Sequence, residues 1–139
     1  MKQIKFPCYQ KKKKNTIPIT EVTLEQFIKG NKNPKKKIQE VFKQIEEATA
    51  TGNLKLKSEL KQNNLVFFNP CVQTDGKGRK YESVKNFTGL IPLDFDGLSK
   101  EMAVELKHHL FKDFKSCVSS WVSPSKFGTK ALFRIPIVK

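Results

Sequence analysis

Arginine is nearly missing from this 139-residue chain: Arg79 and Arg134 stand against 25 lysines. Cysteine is scarce too. Cys8, Cys71 and Cys117 lie far apart with no Cys-x-x-Cys pair, which argues against a disulfide framework or a zinc site and fits thiols in a reducing compartment. No apolar run approaches the ~18–20 residues of a membrane span. The opening residues, Met1 to Asn15, are basic but hold no apolar stretch, so no secretory signal is expected there and a cytoplasmic location is. No repeat period is visible, and no Gly-x-x-x-x-Gly-Lys-Ser/Thr loop occurs. The two histidines, His108 and His109, are neighbours on a predicted helix, ~100° apart, and cannot share a ligand face.

What is present is one domain's length of chain with a heavy positive charge. Lysine and arginine number 27 against 13 acidic residues, a formal net charge of +14. Residues 1–64 hold 15 basic and 6 acidic side chains, and residues 65–139 hold 12 and 7. Such an excess suits a polyanion, because clustered lysines near phosphates release counterions without reading sequence. A lysine-rich chain with two arginines equally suits a skewed genome.

Residues 1–20 read as extended, with Lys11 to Lys14 a solvated run. Thr23 is placed to cap a short helix from Leu24 to Lys29, ended by Gly30. Pro34 suits the first turn of a second helix running to Ala50, whose Ile38, Val41, Phe42, Ile45 and Ala48 form one stripe. Leu54, Leu56 and Leu60 suggest a third. Beyond Asn64 come a short strand at 65–68, turn chemistry at Asp75–Gly78 and a strand from Phe87 to Asp96. A helix capped by Ser99 follows, with Met102, Ala103, Leu106, Leu110 and Phe114 on its apolar face. Strands at 117–122 and 130–138 complete the order, with Ala131, Phe133, Ile135 and Ile137 expected in the core. The expectation is an α+β domain in which N-terminal helices precede a mainly antiparallel sheet. Residues 1–62 form a basic, mainly helical lead-in to a core at 63–139, the whole one continuous domain.

The sharpest local feature is Leu90 to Asp96. Alternate strand residues share a face, so Ile91, Leu93 and Phe95 are expected to point toward the following helix and Leu90, Pro92, Asp94 and Asp96 away from it. Carboxylates at i and i+2 stand about 6.5–7 Å apart given the strand rise, a spacing that lets both reach one divalent cation or a pair. The plain alternative is a strand end at which Asp96-Gly97 turns the chain into the helix. The second feature is the loop Ser123 to Lys130. Lys130, Leu132 and Arg134 share a face; if it is the aspartates' face, phosphates bridging metal and lysine are its natural occupant, with the serine hydroxyls and loop amides as a cradle. Alone, that loop is an ordinary hairpin with a solvated lysine.

Together these segments resemble the archaeo-eukaryotic primase superfamily. The nearest branch is the VirE N-terminal-like (BT4734-like) primase-polymerase domains of Bacteroidetes, their mobile elements and phages. The similarity lies in Thr88-Gly89-Leu90 leading to Asp94-Phe95-Asp96, in Ser123-Pro124-Ser125 leading to Lys130, and in Leu60 to Leu65, over roughly residues 50–138. The resemblance implies an RRM-like primase-polymerase core, with Asp94 and Asp96 as catalytic metal ligands for Mg²⁺ or Mn²⁺. It further implies that Ser125 and Lys130, with Ser123 and Arg134 beside them, hold the phosphates of a nucleoside triphosphate. DNA, as single-stranded template or primer-template, and a helicase domain or protein are the implied partners. The implied role is replication of a phage, mobile-element or bacterial DNA. Lys126 departs from the branch, which carries glycine there. A third strand-borne carboxylate is expected beyond Lys139, so the core is expected to be incomplete at its C-terminal side.

Two rivals share these residues. Asp94-x-Asp96-Gly97-Leu98 also resembles the first motif of haloacid-dehalogenase-type phosphatases, in which the first aspartate is a nucleophile and the second a general acid/base. A non-catalytic nucleic-acid-binding module of primase-like fold would use the lysines for phosphates and Phe67, Phe68, Trp121 or Phe127 for base stacking.

Overall fold

The computed structural model describes residues 3–10 and 18–138, so the Lys11–Lys14 run lies outside the described residues. The chain is α+β, and its sheets are antiparallel throughout the described residues. Among the described residues two strands come before the first helix: β1 (Lys5–Gln10) and β2 (Thr20–Thr23). The helices α1 (Leu24–Lys32), α2 (Lys36–Ala50) and α3 (Leu54–Asn64) follow. Then come β3 (Val66–Phe68), β4 (Val72–Thr74), β5 (Val84–Phe87), β6 (Leu90–Phe95), α4 (Lys100–Asp113), β7 (Cys117–Val122) and β8 (Thr129–Arg134). The sequence-based order, helices first, therefore misses an opening hairpin. Phe6, Pro7, Cys8 and Tyr9 are all buried, so β1 shows none of the polar alternation that marks a half-exposed strand.

β1 is the middle of a small sheet ordered β2-β1-β3, with Cys8 opposite Phe68. This sheet and α1 form one layer. A second sheet, ordered β6-β8-β7, forms the next, and α4 covers its far side. The first two layers meet in an aromatic core. Phe27 of α1 lies edge-on to Phe6, Phe68 and Trp121 with centroids 5.0–5.4 Å apart, and Phe6, Phe27, Leu90 and Leu132 are buried together. On the opposite face Ala131 and Cys117 pack with Leu110, flanked by Phe95, Leu106 and Phe133. Two side-chain bonds fasten α4 there: Thr129 Oγ1 donates to the Ala103 carbonyl and Ser120 Oγ to the Lys107 carbonyl, both at 2.7 Å.

Local chemistry sets the boundaries. Thr23 and Gln26 make a reciprocal capping box at α1, and Ser99 Oγ accepts from the Met102 amide at α4. Lys35 precedes α2, which leaves Pro34 just outside the helix rather than in its first turn. The strand expected over 87–96 is two strands. Gly89 has φ +81°, Thr88 Oγ1 donates to the Pro70 carbonyl, and the Leu90 amide donates to Thr88 Oγ1, so the chain breaks there and β4–β5 forms its own hairpin.

The strand expected over 130–138 ends at Arg134. Pro136 has no amide proton to extend a ladder, and Ile135 and Ile137 are half exposed rather than core. The β6 alternation holds from Leu90 to Phe95, with two corrections: Asp96 falls just past the strand's end, and α4 does not reach over β6. Helix α4 lies over β7 and β8, so Ile91 and Leu93 remain 37% and 39% exposed. Met102 and Phe114, expected on the apolar face of α4, are likewise exposed. No helix is long and apolar enough to cross a membrane among the described residues.

Candidate functional site

β6 is an edge strand, where Pro92 removes no bond from a second ladder, and it pairs with β8 without a bulge. The register sets Asp94 directly opposite Lys130, and Lys130 opposite Trp121 of β7, a row of three across one face. Lys130 Nζ donates to Asp94 Oδ2 at 2.6 Å. This face also carries Leu90 and Leu132, roofed by β1 and α1; the Asp94–Lys130 end is half open, with the Asp94 side chain 53% exposed.

The loop between β7 and β8 brings the second segment to the first. The Ser123 amide donates to the Gly128 carbonyl at 2.9 Å and the Lys126 amide to the Ser123 carbonyl at 2.9 Å, closing a tight turn. Leu98 donates to the Phe127 carbonyl at 3.0 Å, docking the loop on the turn that follows β6. A Cβ on Gly128 would stand 2.6 Å from the Phe95 carbonyl oxygen, 3.1 Å from Ser123 Oγ and 3.2 Å from Asp96 Oδ1. Absence of a side chain at 128 is thus what lets the loop lie against Asp96.

Ser123 and Ser125 are buried, and their hydroxyls bond each other at 3.0 Å. They shape the turn, and Ser125 Oγ also accepts from the Phe127 amide at 3.4 Å. Lys126 has φ +68°, a left-handed conformation for which glycine is the default residue. Phe127 sits beneath Lys100, whose ammonium lies 5.6 Å from the ring centroid and also pairs with Glu46 of α2.

Asp94, Asp96, Ser123, Ser125 and Lys130 therefore gather at one end of the sheet. Arg134 does not: it stands opposite Leu90, four residues along β8 from Lys130 and so about 13 Å away at the strand rise. Phe68 and Trp121 are core aromatics, and Phe67 is stacked on Tyr9. Lys61 of α3, outside the residues that sequence reasoning placed at the site, is an exposed lysine of the helix's last turns. Partial burial, Lys57 and Lys130 push its ammonium below its ordinary value, while Asp96 and Asp94 oppose the shift.

Residues 59–138 match the family described as BT4734-like, N-terminal domain. The chain belongs to that family. Its matched region runs from the last turns of α3 through β8 and contains both gathered segments and Lys61; β1, β2, α1 and α2 precede it. No curated protein and no solved structure matches the chain.

The donor set fits a hard cation. Aspartate carboxylates are the oxygen donors that Mg²⁺ favours, and Mn²⁺ accepts the same oxygens. Among the described residues no group of three or more His, Cys, Asp and Glu side chains gathers, so protein ligands would come from this pair.

Proposed function

We propose that this chain is a nucleotidyltransferase domain of the primase-polymerase type, a branch of the archaeo-eukaryotic primase superfamily. One observation carries the reading: Asp94 lies in register with Lys130 while Asp96 lies against the Ser123–Gly128 turn, so an acidic pair and a phosphate-type cation meet at one open sheet end. Asp94 and Asp96 would hold Mg²⁺ or Mn²⁺. Held there, the metal would neutralise charge on a triphosphate and lower the pKa of the attacking 3′-hydroxyl. Lys130 would share its ammonium between Asp94 and the nucleotide phosphates, and the buried serine pair keeps the turn in the shape that leaves Asp96 accessible. In the transfer, the 3′-oxygen forms a bond to the α-phosphorus and the bond to pyrophosphate breaks. The lysine-rich front half would track a DNA backbone, template or primer-template, in a cytoplasmic replication setting that includes a helicase.

A second reading is favoured by the acidic pair standing without a third carboxylate among the described residues: a non-catalytic DNA-binding module. The phosphatase reading draws on the Asp94-x-Asp96 spacing alone. Primer extension on a labelled DNA template with Mg²⁺ or Mn²⁺ separates them. The full chain is expected to incorporate nucleotides, and Asp94→Ala to fall to background with DNA binding retained. Melting should hardly change, since an exposed ion pair contributes about 0–1 kcal/mol. Undiminished incorporation by Asp94→Ala would overturn the proposal. DNA binding without incorporation by the unmodified chain would favour the module.

A further inference from the structure

Arg79, one of the two arginines, lies in the loop between β4 and β5, outside the site described above. Its guanidinium carbon stands 4.7 Å from the Phe67 ring centroid and 5.3 Å from that of Tyr9. Those two residues are opposite each other in the β1–β3 pair, their rings stacked at 5.2 Å with planes 16° apart. Strand alternation turns them to the side of the sheet away from Phe6, Phe68 and α1, where β4 packs on β1. Tyr9 is buried, and its hydroxyl lies 3.5 Å from the Gly78 carbonyl oxygen. The loop also holds itself: the Asp75 amide donates to the Ser83 carbonyl and the Ser83 amide to the Lys80 carbonyl, both at 2.9 Å.

A cation–π contact uses the flat face of a guanidinium and leaves its N–H groups, which lie in the plane, free to donate. Arg79 is exposed and makes no ion pair among the described residues. Of the two carboxylates in the loop, Asp75 accepts from the Lys77 amide at 2.8 Å, and Glu82 makes no ion pair either. A planar fork of donors, oriented by two rings and lacking an acid of its own, matches a phosphodiester, whose free oxygens accept a bidentate pair. Lys77 and Lys80 flank it, exposed, and Tyr81, two residues on, is 80% exposed. A tyrosine ring left in water beside phosphate-type cations matches an unstacked base, which a single strand offers and a duplex does not. An acidic peptide would use the cations and leave that ring idle.

We propose that the β4–β5 loop is a contact for single-stranded DNA, with Arg79 on its aromatic shelf gripping a phosphate and Tyr81 stacking on a neighbouring base. This rests on the DNA reading above, which the nucleotidyltransferase and the module share. It adds to the diffuse lysines of the front half one oriented contact in a different part of the fold.

Fluorescence anisotropy of a labelled oligothymidylate with the full chain, over a salt series, tests it. Arg79→Gln is expected to weaken binding about tenfold, the loss of one charge-assisted contact, and to make the logarithmic salt slope shallower by about 0.7, one phosphate's share. Arg79→Lys, which keeps the charge and loses the fork, should weaken binding about threefold. Lys112→Gln, in the exposed last turn of α4, should leave affinity and slope unchanged, and a loss there equal to that of Arg79→Gln would overturn the inference. If Arg79→Gln does not fold, Tyr81→Ala decides: about fivefold weakening with unchanged melting supports the contact, and unchanged affinity contradicts it. Unaltered affinity and slope in Arg79→Gln would overturn this inference and leave the nucleotide reading standing. Weakened binding of an acidic peptide by Arg79→Gln, with the oligonucleotide unaffected, would overturn the choice of partner. No oligonucleotide binding by the unmodified chain would overturn both this inference and the DNA reading beneath it.

Discussion

At Gly128 three groups converge on the place a side chain would occupy: a backbone carbonyl at 2.6 Å, a serine hydroxyl and the Asp96 carboxylate. The carbonyl belongs to β6 and cannot swing aside, so Gly128→Ala must push the turn off the strand. The expected cost is about 1–3 kcal/mol in urea unfolding, the range for overpacking a close contact. Gly97→Ala meets no atom within 4 Å and carries only its backbone strain at φ +71°. A loss at Gly128 no larger than at Gly97 would mean that the turn is not held against Asp96.

Much of this site was legible in single residues. Asp94 and Asp96 stand two apart at a strand end and Lys130 follows a turn, so their types and spacing carried the reading. The mutual hydrogen bond of Ser123 and Ser125 was not legible, because a buried serine and one facing a phosphate look alike in sequence. Nor was the exclusion of Arg134. It shares a strand face with Lys130, but the sequence does not say how far along that face the site extends.

Among the elements, α1 does more than lead into the core. Its Phe27 touches Phe6 of β1, Phe68 of β3 and Trp121 of β7, bridging the two sheets at the face that also carries the site. Phe27→Ala is expected to destabilise the chain by about 3–5 kcal/mol. Trp121 is the one tryptophan, so its emission should also shift to the red as water reaches the indole. A blue-edge spectrum and unchanged unfolding in that variant would contradict this packing.

The helix caps at Thr23 and Ser99 were readable because hydroxyl-capped starts have a local cause. β1 was not. Its pairing with β3 spans almost sixty residues, and its run of buried side chains around Pro7 gives no local period. The break at Thr88-Gly89 was hidden for a related reason: apolar residues continue on both sides, and what ends the strand is a positive φ and a threonine bonded to Pro70.

Across the whole molecule, the +14 charge divides by position. Lys130 is bonded to Asp94 of the acidic pair, whereas Lys35, Lys36 and Lys37 are exposed at the start of α2. The layered arrangement explains how a site can sit at one end of a sheet whose middle is core. β1 and α1 roof the Leu90–Leu132 half of one face, α4 covers the opposite face, and the Asp94–Lys130 end stays half open.

The central claim is that this open end binds a metal–nucleotide complex. It is tested most directly by paramagnetic broadening of backbone amide signals when Mn²⁺ and ATP are added to the full chain. The account predicts selective loss of the Asp94, Phe95, Asp96, Gly128, Thr129 and Lys130 signals, and no such loss in the Asp94→Asn, Asp96→Asn double variant. Broadening centred elsewhere, or the same pattern surviving in the double variant, would contradict it.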